Sequence, residues 1–234
     1  MEDAVMADAV TEVTRTPKDA WDALVRGNRR FLEGRPVHPN QDHGRRRQTA
    51  QEQKPFAVIF GCMDSRVAAE IIFDRGLGDL AVVRTAGHVV DGGVLGSLEF
   101  GVTVIKTPLV VVLGHDSCGA IRAAIETHRS GVYPGGYVRE IVERVTPSLV
   151  TGRRAGQPLE AIDPDVLTED HTRHTVHLLA ERSAAISDRI ANGELGVVGV
   201  VYRLDEGRVR LVAALGDVGV DAPADRRAGF ADGR

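Results

Sequence analysis

The sequence predicts an α/β fold: a mostly parallel β-sheet flanked by helices, with a C-terminal antiparallel edge strand and an N-terminal helical arm. Three observations carry this. Four runs of strand length, at 56–60, 80–83, 109–113 and 197–201, are apolar without polar alternation, as expected of strands covered on both faces. Helical patterns separate them, and strand–helix alternation is the signature of a doubly wound sheet. The last run is followed, across the turn Asp205-Glu206-Gly207, by an apolar stretch at 209–214, so these two form a hairpin and leave an antiparallel edge.

In chain order, residues 1–15 are polar and acidic and are expected to form a flexible tail. Thr16-Pro17 followed by Asp19 reads as a helix start, with a hydroxyl cap, proline at the first position and an acid in the first turn. Trp21, Leu24, Val25, Phe31 and Leu32 then fall at mostly helical spacing, with Gly27 interrupting. Residues 38–53 have no regular period and are expected to be an extended arm of the kind that lies on a partner subunit. Further helices are expected at 67–73, 94–105, 119–128 and 137–145, with a long one at 168–191. The whole reads as a single domain over 16–219, in which 16–53 is the helix and arm, closed by a flexible tail at 220–234.

Composition excludes several roles. The chain has 234 residues, 43% hydrophobic, enough to bury a full core. A net charge of -4 with only a short basic run at Arg45-Arg46-Arg47 argues against nucleic acid as a partner. No stretch approaches the roughly 18 consecutive apolar residues of a membrane span. The first residues are acidic and lack an apolar signal core, so a cytoplasmic, reducing location is expected.

The chemistry concentrates at the two cysteines. Cys62 opens Cys62-Met63-Asp64-Ser65-Arg66, and Cys118 closes His115-Asp116-Ser117-Cys118. A disulfide is disfavoured by the reducing compartment. Two unrelated buried thiols would leave His115, Asp64 and Arg66 unexplained. Two thiolates and an imidazole are a ligand set that zinc prefers, and three protein ligands leave the fourth position open, the pattern of a catalytic ion. One zinc per chain on Cys62, His115 and Cys118 is therefore expected. Each motif follows a predicted parallel strand, and open α/β sheets build sites at those carboxyl ends.

These motifs, with Gly78-Asp79-Leu80, Val83-Arg84-Thr85-Ala86-Gly87, Gly114 and Gly119-Ala120, resemble the β-class carbonic anhydrases, most closely the actinobacterial members. Gly27-Asn28-Arg29-Arg30-Phe31 is also similar, and the likeness runs from about Trp21 to Gly219. The resemblance implies reversible hydration of carbon dioxide to bicarbonate and a proton by zinc-bound hydroxide. It makes Asp64 and Arg66 the catalytic pair, with Asp64 orienting the hydroxide and also able to become the fourth zinc ligand in a closed state. Gln53 is expected to donate to a substrate oxygen, and the backbone at Gly119 to contact bound anion. The family implies a homodimer, with assembly into a tetramer left open.

Departures from the family pattern accompany the match. Ala81 and Phe100 stand where phenylalanine and tyrosine are common. Ile59 replaces the tryptophan of an inhibitory bicarbonate pocket whose other members would be Arg84 and Tyr202. His88 replaces an asparagine, and a structural hydrogen bond is its expected role. His171, His174 and His177 read as a polar helix face. Gly114 and Gly119 are expected to serve tight backbone geometry. A carbon disulfide or carbonyl sulfide hydrolase on the same zinc site is the alternative activity, and a zinc-stabilised binding module the non-enzymatic one.

Overall fold

The computed structural model describes residues 16–150, 158 and 161–221. The tail expected at 1–15 and all but the first two residues of that at 220–234 lie outside the described residues. Helix α1 (Pro17–Leu32) starts where the sequence places it: the Asp19 amide donates to Thr16 Oγ1 at 3.1 Å. It runs unbroken through Gly27. Strand β1 (Ala57–Cys62), helix α3 (Ala69–Ile72), strand β2 (Leu80–Thr85) and helix α4 (Gly92–Glu99) follow, after a short helix α2 (His43–Thr49) in the arm. Then come β3 (Leu109–His115), α5 (Gly119–Ser130), α6 (Val138–Val150), α7 (Pro164–Arg182), α8 (Ala184–Ala191), β4 (Gly196–Tyr202) and β5 (Val209–Leu215).

The strands form one sheet in the order β2-β1-β3-β4-β5. Every pairing is parallel except β4 with β5. Strands β1, β3 and β4 are buried along their whole length, which explains the absence of polar alternation in their sequences. On one face, Ile59, Val111, Leu113, Val198 and Val200 pack with Trp21 and Leu24 of α1 and Ile72 of α3. On the other, Val58, Phe60, Val110, Val112 and Val197 pack with Leu98 of α4, Val176 and Leu179 of α7, and Ile186 of α8. A third cluster joins Cys62 and Cys118 to Ile121 and Ile125 of α5, Val142 and Val145 of α6, and Leu167 of α7. That cluster closes the sheet's carboxyl end around the two motifs.

Three expectations on the elements change. The arm is not wholly extended, because α2 forms within it. Asp42 caps that helix, and Arg45 ties it to the Leu77 carbonyl at 2.8 Å. The long helix expected at 168–191 is two, broken at Ser183, whose hydroxyl accepts from the Ile186 amide and starts α8. Helix α6 continues past Pro147 to Val150. Among the described residues no helix is long and apolar enough to cross a membrane.

Candidate metal centre

Strands β1 and β3 are adjacent and parallel, so the residues that end them, Cys62 and His115, meet at one edge of the sheet. Cys118 stands at the turn into α5. The two sulfurs and one imidazole nitrogen lie within 4.8 Å of one another, and all three residues are buried. The arrangement is orientated as well as close. His115 Nδ1 faces the Asp116 carbonyl at 2.8 Å. A carbonyl oxygen only accepts, so Nδ1 carries the proton and Nε2 keeps its lone pair. Nε2 is buried with no partner among the described residues. A bare imidazole nitrogen beside two thiols is what a metal ion requires.

The thiols are poised unequally. Hydrogen bonding from Cys118 holds the Cys62 thiol well below the usual thiol range against the opposing effect of burial, with help from His115 and the Gly87 amide. The resulting Cys62 thiolate, together with burial, pushes the Cys118 thiol well up. Two adjacent sulfurs cannot both ionise without a cation between them, and a dication would remove that conflict. Burial pulls His115 down, but the neighbouring Cys62 thiolate outweighs it and leaves the imidazole raised.

Asp64 stands outside this triad. Arg66 grips it with Nε to Oδ1 at 2.9 Å and Nη2 to Oδ2 at 2.7 Å, and the Arg66 amide adds a third bond to Oδ1 at 3.0 Å. The Arg66 bond is the main reason that the carboxyl stays far below the ordinary carboxylate range. The loop carrying this pair is stitched to the end of β2. Arg84 donates to the Cys62 carbonyl at 2.9 Å and the Asp64 carbonyl at 2.5 Å, and the Met63 amide donates to Thr85 O at 2.9 Å. The second motif is braced by Asp116, which is buried and accepts from the Leu204 amide at 2.9 Å. Asp165 at the start of α7 accepts from the Ser117 amide, also at 2.9 Å.

Residues 57–209 match the carbonic anhydrase family. Carbonic anhydrase 2 of Mycobacterium tuberculosis (strain ATCC 25618 / H37Rv) is 57% identical over 203 residues, spanning 87% of this chain and 96% of its own. The chain is a β-carbonic anhydrase. The carbonic anhydrase of Mycolicibacterium smegmatis is similar at 54% identity, over 87% of this enzyme and 97% of that one. Both relatives are actinobacterial, as the sequence motifs implied. The enzyme's fold is shared by the solved Coccomyxa β-carbonic anhydrase in complex with acetazolamide, with a TM-score of 0.66, 24% identity and coverage of 86% and 92% of the two chains.

Other sequence expectations meet different surroundings in this carbonic anhydrase. Gln53 is exposed in the segment before β1. Gly119 begins α5, and an added Cβ there would meet nothing within 4 Å among the described residues, so close packing against them does not explain it. Gly114 does sit in a tight place, with Thr172 Oγ1 only 2.3 Å from where a Cβ would stand. Ile59 is sealed in the core and Tyr202 is buried at the end of β4, while the guanidinium of Arg84 is committed to the loop carbonyls. Phe100 is exposed, and Ala81 is half-buried in β2.

The histidines correct the sequence reading most clearly. His171 does not lie on a polar face: it is buried, facing Ser148 Oγ at 2.8 Å and the Gly87 carbonyl at 3.0 Å. His88 makes no structural hydrogen bond among the described residues; its ring is fully buried against His171, with centroids 4.6 Å apart. No local pattern announces either environment. Arg84, Asp116 and Asp165 were likewise not distinguishable as braces of the site from residue type and spacing alone.

Proposed function

We propose that the enzyme binds one zinc ion per chain on Cys62, His115 and Cys118 and uses it to interconvert carbon dioxide and bicarbonate. The observation that carries the reading is the bare Nε2 of His115 facing two buried sulfurs beside a carboxylate already held by an arginine. The donor set fits zinc: two sulfurs and one imidazole nitrogen suit a borderline-soft ion, and three ligands leave a position open for chemistry. A zinc ion held by Cys62, His115 and Cys118 would supply hydroxide at neutral pH, since coordination lowers the pKa of water from about 15.7 toward 7.

The protein's own groups do the rest. The Asp64 carboxylate stays ionised throughout the physiological range because Arg66 holds it, so it is a permanent acceptor for the nucleophile's hydrogen and aims the oxygen lone pair at the carbon of carbon dioxide. In the same grip it is kept off the metal. A closed state, with Asp64 as the fourth ligand, requires its bonds to Arg66 to be given up. Gln53 and the backbone at Gly119 are the groups we assign to the substrate oxygens. The exposure of Gln53 on a single chain fits a site completed by a second subunit, so we assign a two-fold dimer in which the N-terminal helix and arm embrace the neighbour. The solved Sordaria macrospora β-carbonic anhydrases are described as tetrameric, and pairing of such dimers would give the same here. We also assign the enzyme to the cytoplasm, because both cysteines are needed as thiolates and thiols stay reduced there.

Stopped-flow measurement of carbon dioxide hydration, paired with zinc analysis, tests the reading. Rapid hydration lost on treatment with a chelator and regained with zinc supports it. A protein that hydrates carbon dioxide equally well after its metal has been stripped refutes it.

A further inference from the structure

Between the end of β2 and α4 the chain makes a turn in which Gly87 (φ 64°) and His88 (φ 43°) are both left-handed. Left-handed residues in succession are held only when their surroundings fix them, the more so when the second is not glycine. Two groups converge on Gly87. Its amide donates to Cys62 Sγ at 3.3 Å. Its carbonyl faces His171 Nε2 at 3.0 Å, and His171 Nδ1 faces Ser148 Oγ at 2.8 Å.

The direction of these bonds follows from the acceptors. The Gly87 carbonyl cannot donate, so Nε2 carries the hydrogen; Nδ1 is then the acceptor, and the Ser148 hydroxyl donates to it. Ser148 on α6 thereby selects the tautomer of His171 on α7 that can hold Gly87. Both side chains are about 2% exposed, so no water competes for these bonds.

We infer that His171 and Ser148 are positioning residues for the metal centre: through Gly87 they hold a backbone N–H on the sulfur of Cys62. A hydrogen bond to a coordinating thiolate withdraws electron density from sulfur and fixes its direction, and partners of this outer rank typically change metal affinity 10–100-fold. His171 is 53 residues from the nearer cysteine in sequence and touches no ligand in the hydrogen-bond chain. It acts only by keeping the left-handed turn aimed. The inference rests on Cys62 being a metal ligand, as assigned above.

The test uses the full-length protein loaded with cobalt(II) in place of zinc, where thiolate-to-metal charge transfer in the near ultraviolet reports directly on sulfur. The wild-type protein should show that band. His171→Phe keeps a ring in the cavity and removes both hydrogen bonds; we expect its band to shift and metal release to a chelator to accelerate about 10-fold or more. His171→Gln, whose amide can donate to the Gly87 carbonyl, should recover much of the difference. Ser148→Ala, the smaller change if His171→Phe does not fold, should move both readouts in the same direction by less. Folded variants with the wild-type band and release rate would overturn the positioning role while leaving the metal site intact. A wild-type protein with no thiolate–cobalt band would instead overturn the metal site itself.

Discussion

Gly114 precedes the ligand His115, and its replacement by alanine has a cost that can be worked out from the contacts. The new Cβ would lie 2.3 Å from Thr172 Oγ1, 3.4 Å from Thr168 Cγ2 and 3.5 Å from His88 Cε1. The last two are ordinary contacts or nearly so; the first demands a retreat of about 1 Å to reach normal packing. Thr172 cannot simply turn aside, since its hydroxyl is bonded to the Thr168 carbonyl at 2.8 Å within α7 and is buried. Helix α7 itself must back away from the sheet. Overpacking of this kind costs about 1–3 kcal/mol, and we expect Gly114→Ala to fall in the upper half of that range. Thr172→Ala alone removes one local hydrogen bond and should cost about 1 kcal/mol. It also clears the space, so the double variant should be less destabilised than the sum of the singles by about 1–2 kcal/mol, the coupling expected of residues in contact. Urea unfolding at fixed protein and zinc concentration measures all four corners of the cycle. A Gly114→Ala protein within ~0.5 kcal/mol of wild type, or strict additivity in the double variant, would refute the argument.

Other perturbations have equally definite outcomes. Cys62→Ala, His115→Ala and Cys118→Ala should each lose zinc and hydration activity together, and one metal per chain with normal turnover in any of them would contradict the ligand assignment. Arg66→Ala should keep its zinc by metal analysis yet hydrate carbon dioxide at least about 10-fold more slowly, because Asp64 loses its grip; unchanged turnover would remove Arg66 from the mechanism. Asp74, a fully buried carboxylate, accepts from Arg30 Nε at 2.5 Å and from the Val37 and His38 amides; Asp74→Asn should cost about 2–4 kcal/mol and speed amide exchange at 37 and 38. Burial holds the His171 imidazole down to about 4 and drives His88 the same way. The unfolded chain therefore takes up these protons first, near pH 6.5, so the contribution of the two histidines should be level above that pH and decline as pH falls toward 4. His171 alone accounts for ~3 kcal/mol at about 1.4 kcal/mol per pH unit, and urea midpoints that stay flat from pH 7 to 4.5 would falsify this account.

What the sequence disclosed and what it hid divide along a physical line. The runs that became β1, β3 and β4 were legible because full burial on both faces leaves no polar residue to blur them, and the hairpin into β5 because its turn residues are local. The ligand triad was legible for a similar reason: two cysteines, a histidine and their immediate neighbours are a rare chemical set within short spans. Helix α2 was not, since it buries no residue and so has no apolar period; caps and arginine contacts hold it. His171 defeated the sequence reading because what determines its environment, Ser148 and Gly87, lies 23 and 84 positions away. Arg84 was visible as a residue, but its partners are backbone carbonyls, which every sequence offers everywhere.

The register between β1 and β3 has a consequence for how this enzyme can change over evolutionary time. Phe60 pairs with Val112 and Gly61 with Leu113, and that alignment brings Cys62 and His115 to one place. Between the motifs, Arg84 and the turn at Gly87 fasten the Cys62 loop, but the loops that fasten neither ligand are free to change length; even doubling a flexible loop adds only about 0.6 kcal/mol of closure entropy. A slip of one residue in the register is another matter, because it turns His115 to the opposite face of the sheet. Lineages of this architecture can therefore acquire insertions in those loops without re-aiming the ligands, while the six residues of β1 and the seven of β3 tolerate neither insertion nor deletion.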